Sequence, residues 1–600
     1  MPKIEVNETM FYELAGTNGK GWKTREEFED ALTCAKAELD EDSDKNLPES
    51  ERVLKIELND TNRPDLWGTA GCARQLRVYS SGAKPEYPFF SLPCTTQKAA
   101  YTVKVEKSVQ QVRPYLAGFI AKGKSISDPL LRDMIQTQEK LAWNFGRKRR
   151  SISMGLYRVS PVKWPIIYKG VDPNSVSFVP LQWDVPLTPT EILRQHPKGK
   201  EFAFILEHKP VHPFLTDSQG GVLSYPPIIN SADIGAVQVG DSEIFVELTG
   251  TDITLVTLAA SIVACDLADN GFTIEPVEIQ YEYDTPFGRN IVYPYYFQEP
   301  VFCSLARIEK FLGEKLNADE CVQALARMGV KAEKGKGTER RQTVEDEGIT
   351  AWPPEYRNDF LHAADVAEDV MIGRRLSSFK PERPADSTVG RLLPVTLFSR
   401  QVKEIFIGMG YQEMIYNYLG SRKHLVDNMC PTTSKAGQQI TDEVVRRIIR
   451  IANPMTENYE YVRDSVIASL MESESVSSHS VYPHKIFEIG KIAYRDNSEK
   501  NPKDSTGTIT RQYAGFLHAD KEANFNTAAG LLQTLFYYLS REYDVEESGD
   551  QRFIPGRAAA VLYKGRRIGV FGEIHPKVLE NWDITVPCTA GEIDLDMLYS

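Results

Sequence analysis

No stretch of this chain narrows its possible folds as much as SEIFVELTGTDITLVTLAASIVACDLADNG, residues 242–271. Its first part alternates, with Phe245, Glu247 and Thr249 on one face and Ile244, Val246 and Leu248 on the other. That is the period of a β-strand. Thr251-Asp252 then supplies a helix cap, and ITLVTLAASIVACDLAD runs uncharged as far as Asp266 before stopping at Asn270-Gly271. A strand that leads into an apolar helix belongs in a packed domain of mixed α and β structure. No apolar run approaches the ~20 residues that span a bilayer, so no membrane partner is expected.

The 600 residues suggest roughly three to five domains, with chain enough for several cores. Hydrophobic residues make up 42% and charged residues 26%, an ordinary globular composition. The start, MPKIEVNETMFYEL, lacks the basic and apolar regions of a signal peptide, and a cytoplasmic location is expected. Cys34, Cys72, Cys94, Cys265, Cys303, Cys321, Cys430 and Cys588 form no CxxC pair. They read as reduced thiols and not as a zinc ribbon or disulfide framework. A net charge of −13 does not advertise a nucleic-acid binder. The basic run GRKRRS (146–151) is either a local RNA-facing patch or a solvated loop.

Patterning divides the chain into a multidomain α+β protein. Residues 1–88 form an α/β block: strand PKIEVN, helix-like KTREEFEDALTCAKAELDED, strand RVLKIELN, and a turn at Asn62-Arg63-Pro64-Asp65 where Asp65 caps the next helix. Residues 89–292 are β-rich, and HPFLTDSQGGVLSYPPIIN reads as a hairpin with Leu215 and Ser224 on its arms. Residues 298–378 show two short helices, a strand and a basic turn at Lys334–Arg341, a winged-helix-like pattern. ERPADSTVG (382–390) is a linker. Residues 391–600 mix helices such as SRQVKEIFIGMG with strands such as HKIFEIGKIAY, as in an antiparallel sheet domain.

RNDFLHAADVAED (357–369) brings Asp359, Asp365, Glu368 and Asp369 together. Asn358 or Asp359 is the expected N-cap, with the later acids on one helix face. Their repulsion would be relieved by a cation such as Mg²⁺, which takes oxygen ligands. The rival reading is a capped, solvated face whose acids pair with Arg357, Arg374 or Arg375.

There is no P-loop, no GxGxxG after a strand, no HExxH and no GxSxG, and the nine histidines show no metal-ligand pairing. The segments that carry family character are others. They are IANPMTENYEYVRDSVIASLMES, HKIFEIGKIA, FIPGRAAAVLYKGRRIGVFGEIHPKVL, NRPDLWGTAGCARQL, PPIIN, ELTGTD and PPEYRNDFLHAADVAEDV. Together they resemble the beta subunits of phenylalanyl-tRNA synthetases across nearly the whole chain. The opening block and length resemble the shorter archaeal and eukaryotic form, without the inserted barrel and C-terminal anticodon-binding domain of the long bacterial form.

The resemblance implies an α2β2 assembly with an alpha subunit that attaches phenylalanine to tRNA(Phe) using ATP and Mg²⁺. It implies that residues 391–600 are a catalytic-like class II domain that is inactive. Arg463 stands near a motif-2-like position, but no GxGxxR-type element follows. It further implies that residues 89–292 hydrolyse mischarged Tyr-tRNA(Phe), with Leu215, Ser224, Glu247 and Thr249 forming the pocket. Glu247 would recognise the tyrosyl hydroxyl where the family often has Asp. No side-chain nucleophile is evident, which leaves a positioned water as the attacker. Finally, it assigns Mg²⁺ to Asp359, Asp365, Glu368 and Asp369. Two other classes compete: a scaffold and tRNA-binding subunit whose editing pocket has decayed, and a DNA- or regulator-binding role for the 298–378 module.

Overall fold

In a computed structural model, residues 3–17, 21–59, 62–91, 99–340, 342, 344–430, 444–496 and 506–600 are described. Cys94 and Arg341 lie outside them. The chain divides into two compact units, Met1–Glu382 and Arg383–Ser600.

In the first unit, strand Lys3–Asn7 pairs antiparallel with Val53–Leu58, which pairs antiparallel with Ala37–Glu41. The segment KTREEFEDALTCAKAELDED, expected as one helix, divides. A helix covers only Arg25–Leu32, capped by the Thr24 hydroxyl. Lys36 then takes a left-handed φ of 51°, and Ala37–Glu41 is strand. Ala37 and Leu39 are buried while Glu38 and Asp40 are exposed. This period-2 burial outweighs the helix propensity of the Ala- and Glu-rich sequence. Asp65 also departs from expectation: Gly68 occupies the N-cap of helix Thr69–Ser81, and Asp65 turns back to Arg63.

A ten-stranded sheet dominates this unit. Strand Glu243–Gly250 lies between Tyr115–Lys122 and Ile152–Arg158, antiparallel to both. Hairpin His212–Thr216/Val222–Tyr225 stands toward the other end, followed by the short strand Ile229–Asn230. Helix Ile253–Asp269 packs on strands Tyr115–Lys122 and Glu243–Gly250, with Asp252 accepting from the Thr254 and Leu255 amides at 2.9 and 3.1 Å. The helix is buried on almost every side, which is why it is apolar all round.

A smaller sheet, Val301–Ser304, Asp346–Trp352 and Lys331–Gly337, carries helices Leu305–Leu312 and Ala318–Arg327. Helix Ala363–Arg374 packs against Ala318–Arg327. Lys334 and Lys336, expected in a basic turn, lie within the strand Lys331–Gly337.

The second unit is built on a seven-stranded sheet, antiparallel except where Gln412–Glu413 joins His484–Arg495. Helices Pro394–Gly408 and Phe525–Tyr538 share one core through Phe398, Val402, Phe406, Leu532 and Leu535. Helix Ile467–Ser475 belongs to the other. Strands Phe553–Tyr563 and Arg566–Ile574 turn through Lys564 and Gly565 at φ of 51° and 73°. Such paired positive φ values match the twist of a tight hairpin. Among the described residues no helix is long and apolar enough to cross a membrane.

Candidate functional site

A cavity of about 390 Å³ opens beside strand Glu243–Gly250, with Glu247, Ser224, Tyr157 and Asn230 among its polar walls. Leu131, Ile135, Met154, Leu156 and Ile228 are among its apolar ones. The strand is buried from Ile244 to Gly250, so Glu247 has no solvent face to sit on. Its register explains how a carboxylate fits there. Glu247 stands across from Gly118 on one neighbour and Gly155 on the other. A Cβ at Gly155 would collide with the Tyr157 hydroxyl and lie 2.7 Å from Glu247 Oε2. The gap left by that glycine is where the polar groups meet.

The Tyr157 hydroxyl lies 2.8 Å from Ser224 Oγ and 2.8 Å from Glu247 Oε2. A phenol carries one proton. With Glu247 ionised that proton goes to the carboxylate, and the Ser224 hydroxyl donates to the phenol oxygen. Glu247 is 2% exposed, and among the described residues its Oε1 has no hydrogen-bond partner. Burial pushes its carboxyl up to about 7, against the Tyr157 hydrogen bond, the Arg113 guanidinium and the Thr249 hydroxyl, which favour the ionised form.

Thr249 supports this arrangement from one step further along the strand. Arg113 donates to Thr249 Oγ1 at 2.9 Å, to the Thr249 carbonyl at 2.6 Å and to Ser153 Oγ at 3.0 Å. It also donates to the carbonyls of Arg149 and Arg150, tying down the basic GRKRRS loop. There Arg147, Lys148 and Arg149 take left-handed φ values of 51°, 56° and 63°. Arg149 reaches the cavity wall and donates to the Pro227 and Ile228 carbonyls at 3.1 and 3.0 Å. His196, also on the wall, is kept below its usual pKa by burial, and its Nδ1 accepts from the Lys198 amide.

Of the four residues expected to form a pocket, Ser224 and Glu247 face the cavity. Leu215 pairs with Ser224 across the hairpin and is fully buried, and Thr249 is engaged by Arg113. The sequence reading missed Tyr157 and Arg113. A usable signal was present: the tyrosine of SISMGLYR needs a partner for its hydroxyl when that strand is buried.

The four acids of the 357–369 segment do not converge. Both oxygens of Asp359 accept from Arg357, at 2.9 and 2.6 Å, and both oxygens of Asp369 do so at 2.6 and 3.2 Å. His362 takes the N-cap position expected of Asn358 or Asp359, and Asp365, at the third helical position, reaches back so that its Oδ2 accepts from the Leu361 and His362 amides at 2.7 and 2.6 Å. Glu368 pairs with Lys36 at 2.6 Å. Burial works to raise the Asp359 carboxyl, but the Arg357 guanidinium holds it down at about 2. Mg²⁺ requires oxygens free to coordinate it; both oxygens of Asp359 and of Asp369 are already held by Arg357, and Asp365 and Glu368 are turned to separate partners. Asp359, Asp365, Glu368 and Asp369 therefore do not fit a shared cation site. Among the described residues no group of three or more His, Cys, Asp or Glu side chains is arranged to hold a metal.

In the second unit Arg463 is 1% exposed. It donates to Glu488 at 2.6 and 2.9 Å, to Ser469 at 3.1 Å and to the Lys491 carbonyl at 3.1 Å. A guanidinium so neutralised has no charge to offer a phosphate.

Residues 380–595 match the family model described as the phenylalanyl tRNA synthetase beta chain CLM domain, and residues 301–374 match the tRNA synthetase B5 domain. The phenylalanine–tRNA ligase beta subunit of Treponema pallidum subsp. pallidum is 43% identical over 633 residues, covering 100% of both chains. That of Borrelia hermsii is also 43% identical, over 598 residues and 100% of both. An N-terminal fragment of the phenylalanyl-tRNA synthetase beta subunit from Pyrococcus horikoshii aligns with a TM-score of 0.55 and 32% identity, covering 62% of this chain and 99% of the fragment. With full-length identity of this order, the chain belongs to the family of phenylalanine–tRNA ligase beta subunits, components of an aminoacyl-tRNA synthetase that serves protein biosynthesis.

Proposed function

We propose that this chain works in the cytoplasm in an α2β2 complex, supporting an alpha subunit that converts ATP, L-phenylalanine and tRNA(Phe) to Phe-tRNA(Phe), AMP and diphosphate. In this reading Mg²⁺ accompanies ATP at the alpha-subunit site. Residues 391–600 are an inactive class II-like domain, and the internal neutralisation of Arg463 by Glu488 supports that. Residues 1–88 form an N-terminal α/β domain and 298–378 a winged-helix-like module. The shorter form of the subunit is the one we infer, consistent with relatives that this chain covers end to end.

Residues 89–292 are the editing domain, which removes tyrosine from tRNA(Phe). The observation that carries this is Glu247: a buried carboxylate on a wall of mixed apolar and polar groups, with one oxygen held by Tyr157 and the other, also buried, without a hydrogen-bond partner among the described residues. An apolar synthetic pocket rejects a substrate with one added hydroxyl only by ~10². A second pocket that must hydrogen-bond that hydroxyl inverts the preference, because phenylalanine leaves its acceptor unpaired. The reaction is ester hydrolysis: water adds to the carbonyl, and the terminal ribose oxygen leaves with a proton. The water is positioned by polar groups of the pocket and the tRNA's terminal adenosine. Arg149 at the cavity wall gives the acceptor end a cationic neighbour.

Deacylation of Tyr-tRNA(Phe) by the purified complex tests the reading. Glu247→Ala is expected to slow it ~10-fold or more, the scale of losing a hydrogen bond to a buried charged group. Thr249→Ala should act in the same direction by loosening Arg113. Unchanged rates in both would favour the decayed-pocket scaffold.

A further inference from the structure

We propose that Tyr157 is a positioning residue that sets the cavity's preference for a phenolic hydroxyl, by engaging one oxygen of Glu247 and leaving the other as the unpartnered acceptor. This rests on the editing reading and adds the residue that makes Glu247 selective.

Three observations carry it. First, Tyr157 is no loose side chain: it is fully buried one residue before the end of strand Ile152–Arg158, its ring stacked on Phe245 at 5.9 Å. Second, its hydroxyl links the two polar wall groups, Ser224 and Glu247, which would otherwise compete for the incoming hydroxyl. Third, Gly155 leaves the space through which the hydroxyl reaches Glu247, so the contact depends on a missing side chain.

The consequence is chemical. The carboxylate receives one phenol proton from Tyr157 on Oε2, and its buried Oε1, which has no partner among the described residues, is left to accept a second. A tyrosyl ester supplies it and a phenylalanyl ester cannot. Without Tyr157, Oε2 is released, and the carboxylate can turn or take up a proton on either oxygen. A protonated Glu247 presents a donor where an acceptor is needed. Selectivity therefore requires the ionised form and declines as pH falls through about 7. The groups that face this carboxylate and shift its titration are Tyr157 from one neighbouring strand, Arg113 from the segment before the other, and Thr249 on its own strand. Each favours ionisation, so removing the Tyr157 hydroxyl moves the midpoint upward.

The test compares hydrolysis of Tyr- and Phe-esterified tRNA(Phe) by the intact complex carrying wild-type chain, Tyr157→Phe, Ser224→Ala or Glu247→Ala, across pH 5.5 to 9. For Tyr157→Phe the tyrosyl rate is expected to fall ~10-fold while the phenylalanyl rate is held or rises, and the pH midpoint moves up. Ser224→Ala, which keeps the Tyr157 ring and its packing, should lower the Tyr/Phe ratio less. It also serves if Tyr157→Phe fails to fold. If Glu247→Ala abolishes hydrolysis but Tyr157→Phe leaves the ratio and pH profile unchanged, the proposal is overturned and editing stands. Equal loss on both esters by Tyr157→Phe overturns it as well, as general damage. If Glu247→Ala changes nothing, the editing reading itself fails.

Discussion

Arg63-Pro64-Asp65 before helix Thr69–Ser81 and Arg357-Asn358-Asp359 before helix Ala363–Arg374 are one device built twice. Each arginine binds the aspartate two residues on with both arms of its guanidinium, at 2.8 and 2.8 Å in the first and 2.9 and 2.6 Å in the second. Each also reaches the residue twelve positions on, which is Gln75 in the first and Asp369 in the second. All four side chains of the two Arg–Asp pairs are largely buried. The difference is one group: a neutral amide against a second carboxylate. Part of the compensation for that extra charge comes from the other copy, since Arg63 acts on both Asp359 and Asp369. What looks in the sequence like an acidic cluster awaiting a cation is thus an arginine that already has two acids.

Removing the arginines is expected to have the largest effect. Arg357→Ala strands two buried carboxylates, and uncompensated buried charge costs ~3–5 kcal/mol. Arg63→Ala strands one. Urea unfolding of the chain should therefore show Arg357→Ala as the more destabilising, by ~1 kcal/mol or more. Equal or reversed losses would mean that Asp369 is not held by Arg357 in the way its distances indicate.

These two segments also show what could be read from residues alone. The alternation around Glu247, the Asp252 cap and the hairpin that pairs Leu215 with Ser224 rest on local rules, and local rules reached them. Asp65 and Asp359 look like helix caps by the same rules. They fail because a buried arginine two residues earlier takes them first, leaving Gly68 and His362 at the N-caps of the helices. Lys36 fails similarly, since a strand partner and not propensity decides Ala37–Glu41. Tyr157 and Arg113 lie 90 and 136 residues from the groups they hold, a pairing no local pattern announces.

Acidification separates the two aspartates of the second cluster by a smaller effect. With its folded pKa at about 2, below the ordinary 3.8, Asp359 contributes stability that is complete above about 4 and lost as pH falls through about 2. At neutral pH Asp359→Asn should cost ~2 kcal/mol, and the gap to wild type should close on acidification. Asp369 behaves oppositely: burial raises its carboxyl, so ionising it opposes folding. Asp369→Asn, which makes the second cluster resemble the first, should thus fare better against wild type as pH rises. A gap for Asp359→Asn that stays constant from pH 7 to 2 would show that the aspartate acts by shape and not by charge.

The smallest expected effect is that of magnesium. If Arg357 is the counter-ion of Asp359 and Asp369, a divalent cation must displace a bidentate guanidinium to enter, and both clusters should ignore it. A site of millimolar affinity would add about 1.4 kcal/mol at a tenfold excess of Mg²⁺, well within reach of an unfolding midpoint. We expect no such gain for the chain beyond that of sodium chloride at equal ionic strength, and none for Asp369→Asn. A magnesium-specific rise that Asp359→Asn abolishes would mean that the two clusters differ in kind: the first closed by its arginine, the second able to exchange its arginine for a metal.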